Sequence, residues 1–189
     1  FEKYVETRKH VKIDRPVKGG ETINNLAFIS TPGHSPDELC IATDRVVFTG
    51  DHVLPEITPH PTTRLEFSHT VKATMPRKYQ KPDLFFGLET YLRSLKIVAN
   101  MKSNTQILPA HRLFSKGVLN TLSVSRAGEI IQHHENRLEQ ILTLLGNGPT
   151  SLEQLTRDIF DRGKLSAGNL SAALSEVVAH IELLEEAGD

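Results

Sequence analysis

Two imidazoles and a carboxylate recur in this sequence in one kind of place, just past a short apolar run that is abruptly broken. The breaks are Thr31-Pro32-Gly33-His34-Ser35-Pro36, Thr49-Gly50-Asp51-His52 and Leu108-Pro109-Ala110-His111. Such nitrogen and oxygen donors suit zinc, manganese or iron(II), and two histidines with one carboxylate suffice for a catalytic metal with open positions. Singly, each has an ordinary explanation. A histidine after a proline-glycine turn is commonly a loop residue, and Asp51 could cap a turn. Together they weigh a metal centre about evenly against three ordinary turn residues, because open α/β architectures gather their reactive groups where strands end.

The elements that must position these residues are legible in outline. Leu26–Ile29, Leu39–Ala42, Val46–Thr49 and Gln106–Leu108 are apolar runs of strand length, the middle two forming a hairpin about Thr43-Asp44-Arg45. Tyr4–Ile13 alternates loosely and reads as an exposed strand ending before Pro16. Residues 52–82 hold five prolines and no clear period, so a long loop is expected there. Leu84, Leu88, Tyr91, Leu92, Leu95 and Val98 recur at three and four, predicting an amphipathic helix capped by Asp83. A longer helix is predicted from Ser123 to Leu145, ended by Gly146. Thr150-Ser151-Leu152-Glu153 fits a capping box for a short helix, and Leu170 to Leu184 carry one or two more.

Composition narrows the class of protein. With 189 residues, 38% hydrophobic and 24% charged, the chain is globular in type, with no low-complexity tract. No run approaches the length of a membrane span, and the first residues do not read as a signal peptide. A single cysteine, Cys40, rules out a disulfide framework and fits a reducing, cytoplasmic setting; in its apolar strand it reads as an inert core residue. A net charge of −1 gives no field to draw in nucleic acid or an acidic membrane.

The Thr31–Pro36 string, the run from Phe48 to Pro55 (Phe-Thr-Gly-Asp-His-Val-Leu-Pro) and Pro109-Ala110-His111 together resemble the second half of a metallo-β-lactamase-fold hydrolase. The branch most resembled is that of glyoxalase II-like and β-lactamase-like proteins carrying a C-terminal winged-helix module, whose junction Gln132–Leu142 also resembles. The resemblance implies an α/β (α+β) chain: residues 1–147 as the C-terminal half of an αβ/βα sandwich, and 148–189 as a small helical winged-helix-like module without its wing. It also implies two divalent metal ions, zinc with manganese or iron as alternatives. His34 would bind the first, Asp51 would bridge both as the catalytic carboxylate, and His111 would bind the second. Water activated by the metals would attack a carbonyl or phosphoryl centre. A thioester, ester or lactone is the expected substrate, and an RNA phosphodiester the alternative.

Two departures shape the expectation. The family's upstream His-x-His-x-Asp-His string is absent, and the chain opens at Phe1. We therefore expect a piece of a longer enzyme, itself inactive, with incomplete metal sites. The alternative is a natural non-catalytic half-fold used for interaction, whose open sheet face would favour a homodimer. Ala110 and Arg112 replace glycines that commonly flank the last histidine; Ala110 is mild if its φ is negative, and Arg112 either faces an anionic substrate group or is a solvated charge. His52 and His133 are further candidates for substrate contact, with His134 weighed alongside His133; His60 and His69 read as ordinary loop residues. From Thr150 on, Arg157, Arg162 and Lys164 face eight acidic residues, the wrong sign for phosphate. The module is thus expected to pack on the body or shape the substrate entrance.

Overall fold

The computed structural model describes residues 12–64, 69–81, 84–115, 117–160, 165 and 169–188, without the side chains of residues 69, 71, 72, 78 and 79. The expected strand over Tyr4–Ile13, His10 with it, lies outside these residues but for its last two, which are not strand. Among the described residues there are eight strands: β1 (Thr22–Ile23), β2 (Leu26–Ser30), β3 (Leu39–Ala42), β4 (Val46–Gly50), β5 (Gln106–Pro109), β6 (Phe114–Ser115), β7 (Val118–Leu119) and β8 (Leu122–Ser123). The helices are α1 (His69–Thr74), α2 (Leu88–Ala99), α3 (Ser125–Gly146), α4 (Leu152–Ile159) and α5 (Leu170–Ala187), with a 3-10 turn at Arg77–Gln80. The chain is mixed α/β, as expected.

Six strands form one sheet in the order β1-β2-β3-β4-β5-β8, while β6 and β7 pair as a separate ribbon. All pairs in the sheet are antiparallel except β4 with β5. A parallel pair needs a crossover, and α2 supplies it. One face of the sheet presents Cys40, Val47 and Ile107 to Leu88, Tyr91, Leu95 and Val98 of α2 and to Ala127 and Ile130 of α3. Full burial of each large side chain here contributes about 1.5–3 kcal/mol. The Cys40 thiol lies in this core, burial pushing it up to about 12, which fits an inert residue. On the other face Phe48 is 45% exposed. A second, smaller core of Ile141, Leu155, Val177 and Leu184 ties the end of α3 to α4 and α5.

Several expected boundaries are corrected. The crossover helix begins at Leu88 behind Gly87, and Asp83 falls outside the described residues. Gly146 is the last helical residue of α3 rather than its terminator; the chain leaves at Asn147, and Gly148 takes the positive φ. The cap of α4 is shifted by one residue: Ser151, not Thr150, accepts the Gln154 backbone N–H at 3.1 Å. The 52–82 segment holds α1 and the 3-10 turn, each too short to print a period. Among the described residues, no helix is long and apolar enough to cross a membrane.

Candidate metal centre at the strand ends

The parallel pair sets the site. β4 and β5 run in register from Val46↔Gln106 to Phe48↔Leu108, then slip, so that Gly50 faces Pro109. The extra residue, Thr49, is buried, its hydroxyl donating to the Val53 carbonyl at 3.2 Å. A slip of this kind bends a strand and re-aims the residues beyond it. There, Ala110 N–H donates to the Gly50 carbonyl at 2.9 Å, holding the two strand ends side by side. Asp51 and His111 leave these ends together, with Asp51 Oδ1 and His111 Nε2 3.1 Å apart. Ala110 has no positive φ, so it substitutes for glycine without strain.

His34 arrives from the β2–β3 turn. Thr31 N–H donates to the Glu38 carbonyl and Gly33 N–H to the Ser35 carbonyl, closing the turn on itself. Gly33, at φ 132°, lies so close to α2 that a Cβ would stand 2.4 Å from the Tyr91 Cα. Only glycine fits there. Ser94 of α2 clamps the Pro32 carbonyl at 2.7 Å, and the Thr62 hydroxyl clamps that of Gly33 at 2.8 Å. His34 Nδ1 lies 2.9 Å from the His60 carbonyl. A carbonyl only accepts, so Nδ1 carries the proton and the Nε2 lone pair is left for another partner. His60, read as an ordinary loop residue, thus orients His34 through its backbone.

Glu38, at the end of the same turn, is a site residue that sequence reasoning missed. Its carboxyl is pushed up to about 7 by burial, against the pull of His34 and with the repulsion of Asp51, whose backbone N–H it also accepts. It therefore stands within electrostatic reach of both residues. A carboxylate four positions past His34 was the only signal available. Gly50, at φ 57°, leaves it room: a Cβ there would approach Glu38 Oε1 to 3.2 Å.

Metals fit this donor set. Asp51 Oδ1 is buried and accepts no hydrogen bond, even with His111 Nε2 at 3.1 Å. Two ligands of one tetrahedral zinc, each about 2.0–2.2 Å from the ion, stand roughly 3.0–3.5 Å apart, so this spacing suits a shared cation. His34, Asp51 and His111 do not form a single three-donor cluster, since their ligand atoms are not all within 4.8 Å of one another. That is compatible with a paired centre, where ions about 3.5–4 Å apart divide the ligands between them.

The other candidates divide. His52 is fully buried with its ring edge-on to Tyr91, and its carbonyl accepts the Tyr91 hydroxyl at 2.8 Å. This corrects the expectation of substrate contact: the residue after a strand-end ligand points back into the core. His133 is also corrected, for its Nε2 faces Glu176 of α5 at 3.8 Å rather than the strand ends, and His134 is buried beside it. Arg112 takes φ 61°, the left-handed conformation that explains why glycine suits the position, and pairs with Glu56. The pair borders a cavity of about 520 Å³ lined also by Pro55, Val118, Leu119 and Leu122.

No protein-family model matches this chain, and no curated protein does. Solved structures do. A β-lactamase domain protein from Burkholderia ambifaria is 25% identical, with a TM-score of 0.72 over 92% of this chain and 47% of its own. A metallo-β-lactamase family protein from Thermus thermophilus is also 25% identical, with a TM-score of 0.64 over 94% of this chain and 50% of its own. The chain thus spans about half the length of each. Its strand-end motifs and its match to both structures along nearly all its residues place the polypeptide in the metallo-β-lactamase superfamily.

Proposed function

We propose that this chain contributes half of a binuclear metal centre to a hydrolase of acyl substrates, a thioester, ester or lactone. The observation that carries the reading is the 3.1 Å approach of Asp51 Oδ1 to His111 Nε2 without a hydrogen bond, at the ends of two parallel strands. His34 would hold one ion through Nε2, His111 the other, and Asp51 would bridge them. When bound, divalent ions supply a water acidified to near neutral pH and a Lewis acid for the attacked carbonyl. The chain itself orients the donors: the His60 carbonyl fixes the His34 tautomer, and the strand slip aims Asp51 at His111.

The substrate class rests on the cavity bordered by Arg112. Its wall mixes apolar side chains (Pro55, Val118, Leu119, Leu122) with the uncharged polar Ser115, Asn120 and Thr121, and its one cation, Arg112, is matched by Glu56. A polyanion such as RNA needs an excess of positive charge, so the lining favours an acyl group. The test is an assay of the intact protein, loaded with zinc or manganese, on a thioester, a lactone and a single-stranded RNA. Acyl turnover that falls at least ~100-fold in Asp51→Asn supports the reading. Turnover of RNA alone, or acyl turnover indifferent to Asp51, contradicts it.

A further inference from the structure

We propose that His134, Glu176 and His180, at the interface of α3 and α5, bind a divalent transition-metal ion, zinc by the chemistry of the donors, which cross-links the C-terminal helices to the body. The site is separate from the strand ends and does not depend on their role. Its three ligand atoms lie within 4.8 Å of one another, the one such group among the described residues.

The geometry is that of a metal cradle in several respects. His134 Nδ1 and His180 Nε2 are hydrogen-bonded at 3.1 Å, a spacing also close to the roughly 3.3 Å between two nitrogens on one tetrahedral zinc, which would replace the shared proton. His180 turns its other nitrogen, Nδ1, to the Glu176 carbonyl at 2.6 Å, which fixes the proton there and presents the Nε2 lone pair. Glu176 and His180 are four residues apart on one helix and so share a face. Burial holds both imidazoles neutral, the protonation state a cation requires.

Among the described residues, three buried side-chain atoms at this site lack a hydrogen-bond partner: Glu176 Oε1, Arg137 Nη1 and His134 Nε2, which would carry the ring proton when Nδ1 binds an ion. Glu176 Oε1 is buried and accepts no hydrogen bond. The facing nitrogens, His133 Nε2 and Arg137 Nη2, stop at 3.8 and 3.9 Å. Arg137 is held there by stacking on Phe160, 4.4 Å from its ring centroid, and is the competing charge a bound ion must tolerate. A buried carboxylate oxygen without a partner calls for an ion or a water. Glu176 also borders a cavity of about 660 Å³, between the loop at Ile57–His60 and α5. That cavity, which reaches the cluster at Glu176, would give an ion a route in.

The experiment is equilibrium dialysis of the chain against zinc chloride, with zinc counted by mass spectrometry and folding followed by circular dichroism. The background variant H34A/D51A/H111A removes the strand-end donors, so a failure there is distinguishable from a failure here. We expect that variant to retain about one zinc per chain and to melt at a higher temperature with zinc than without. Adding E176Q, nearly isosteric, should weaken retention by at least ~10–100-fold with the helical signal unchanged; if E176Q does not fold, H134Q is read in the same way. A background variant that retains no zinc, or that retains it undiminished with the added substitution, overturns the proposal.

Discussion

The molecule keeps two groups of histidines and carboxylates, and they are built oppositely. At the strand ends His34, Asp51 and His111 project from turns into a partly solvated edge, the His111 side chain being 66% exposed. Between α3 and α5 the rings of His134 and His180 are fully enclosed. The first group is held by backbone: a strand slip, a glycine turn and a carbonyl on an imidazole. The second is held by side-chain packing between helices. Substitutions of the edge donors themselves should therefore change chemistry and leave the fold intact, whereas substitutions of the backbone devices that hold them, or of the interface donors, should loosen the fold.

The largest expected loss of stability is at the turn that carries His34. Gly33→Ala places a methyl against the α2 backbone at a positive φ, and should cost about 3 kcal/mol or more; urea unfolding measures it, and a loss below ~1 kcal/mol would show that the turn is not pinned to α2. His180→Ala comes next. It removes a buried ring and strands the His134 N–H, for a loss of roughly 2–3 kcal/mol in the same measurement.

Acid should act on the interface as well. Burial first, then the neighbouring ring, holds His134 down at about 3, and burial lowers His180 too. The unfolded chain protonates both near their ordinary 6.5, so stability is full above that pH and declines as the pH falls through it toward 3. Glu176, which burial raises but the facing His133 ring and then the Arg137 charge lower on balance, adds a loss of the same sign below about 4.5. A melting temperature flat from pH 7 to 4 would contradict the neutral pair.

Asp51→Asn should move stability by less than ~0.5–1 kcal/mol while removing the activity of the intact protein, which is the contrast between the two regions in a single variant. The smallest effect is at Arg112. Replacement by glycine relieves a left-handed backbone but adds chain entropy and loses an exposed ion pair, so the net change should lie within about 1 kcal/mol. A fall beyond that in chemical denaturation would mean the Glu56 pair matters more than its exposure suggests.

The edge was legible in the sequence because each donor follows a local break, and a break prints its signature within six residues. Thr31–Pro36 shows the turn, and Gly50-Asp51 the strand end. The direction in which each neighbour points stayed hidden. Nothing local says that His52 turns inward while Asp51 does not, because the slip at Thr49 depends on pairing with β5. The interface was illegible for a different reason. His134 and His180 meet across 46 positions of sequence, and the i,i+4 spacing of Glu176 and His180 is also that of any helix face. The existence of the longer helices was readable from the apolar period, that of the six-residue α1 was not, and neither were helix ends, as Gly87, Asn147 and Ser151 show.

Anomalous diffraction at the zinc edge, from crystals of the intact, zinc-loaded protein, addresses the strand-end centre most directly. A bridging Asp51 requires a peak about 2.0–2.2 Å from both Asp51 Oδ1 and His111 Nε2, with a second near His34 Nε2. Full zinc loading with no density between Asp51 and His111 would contradict it.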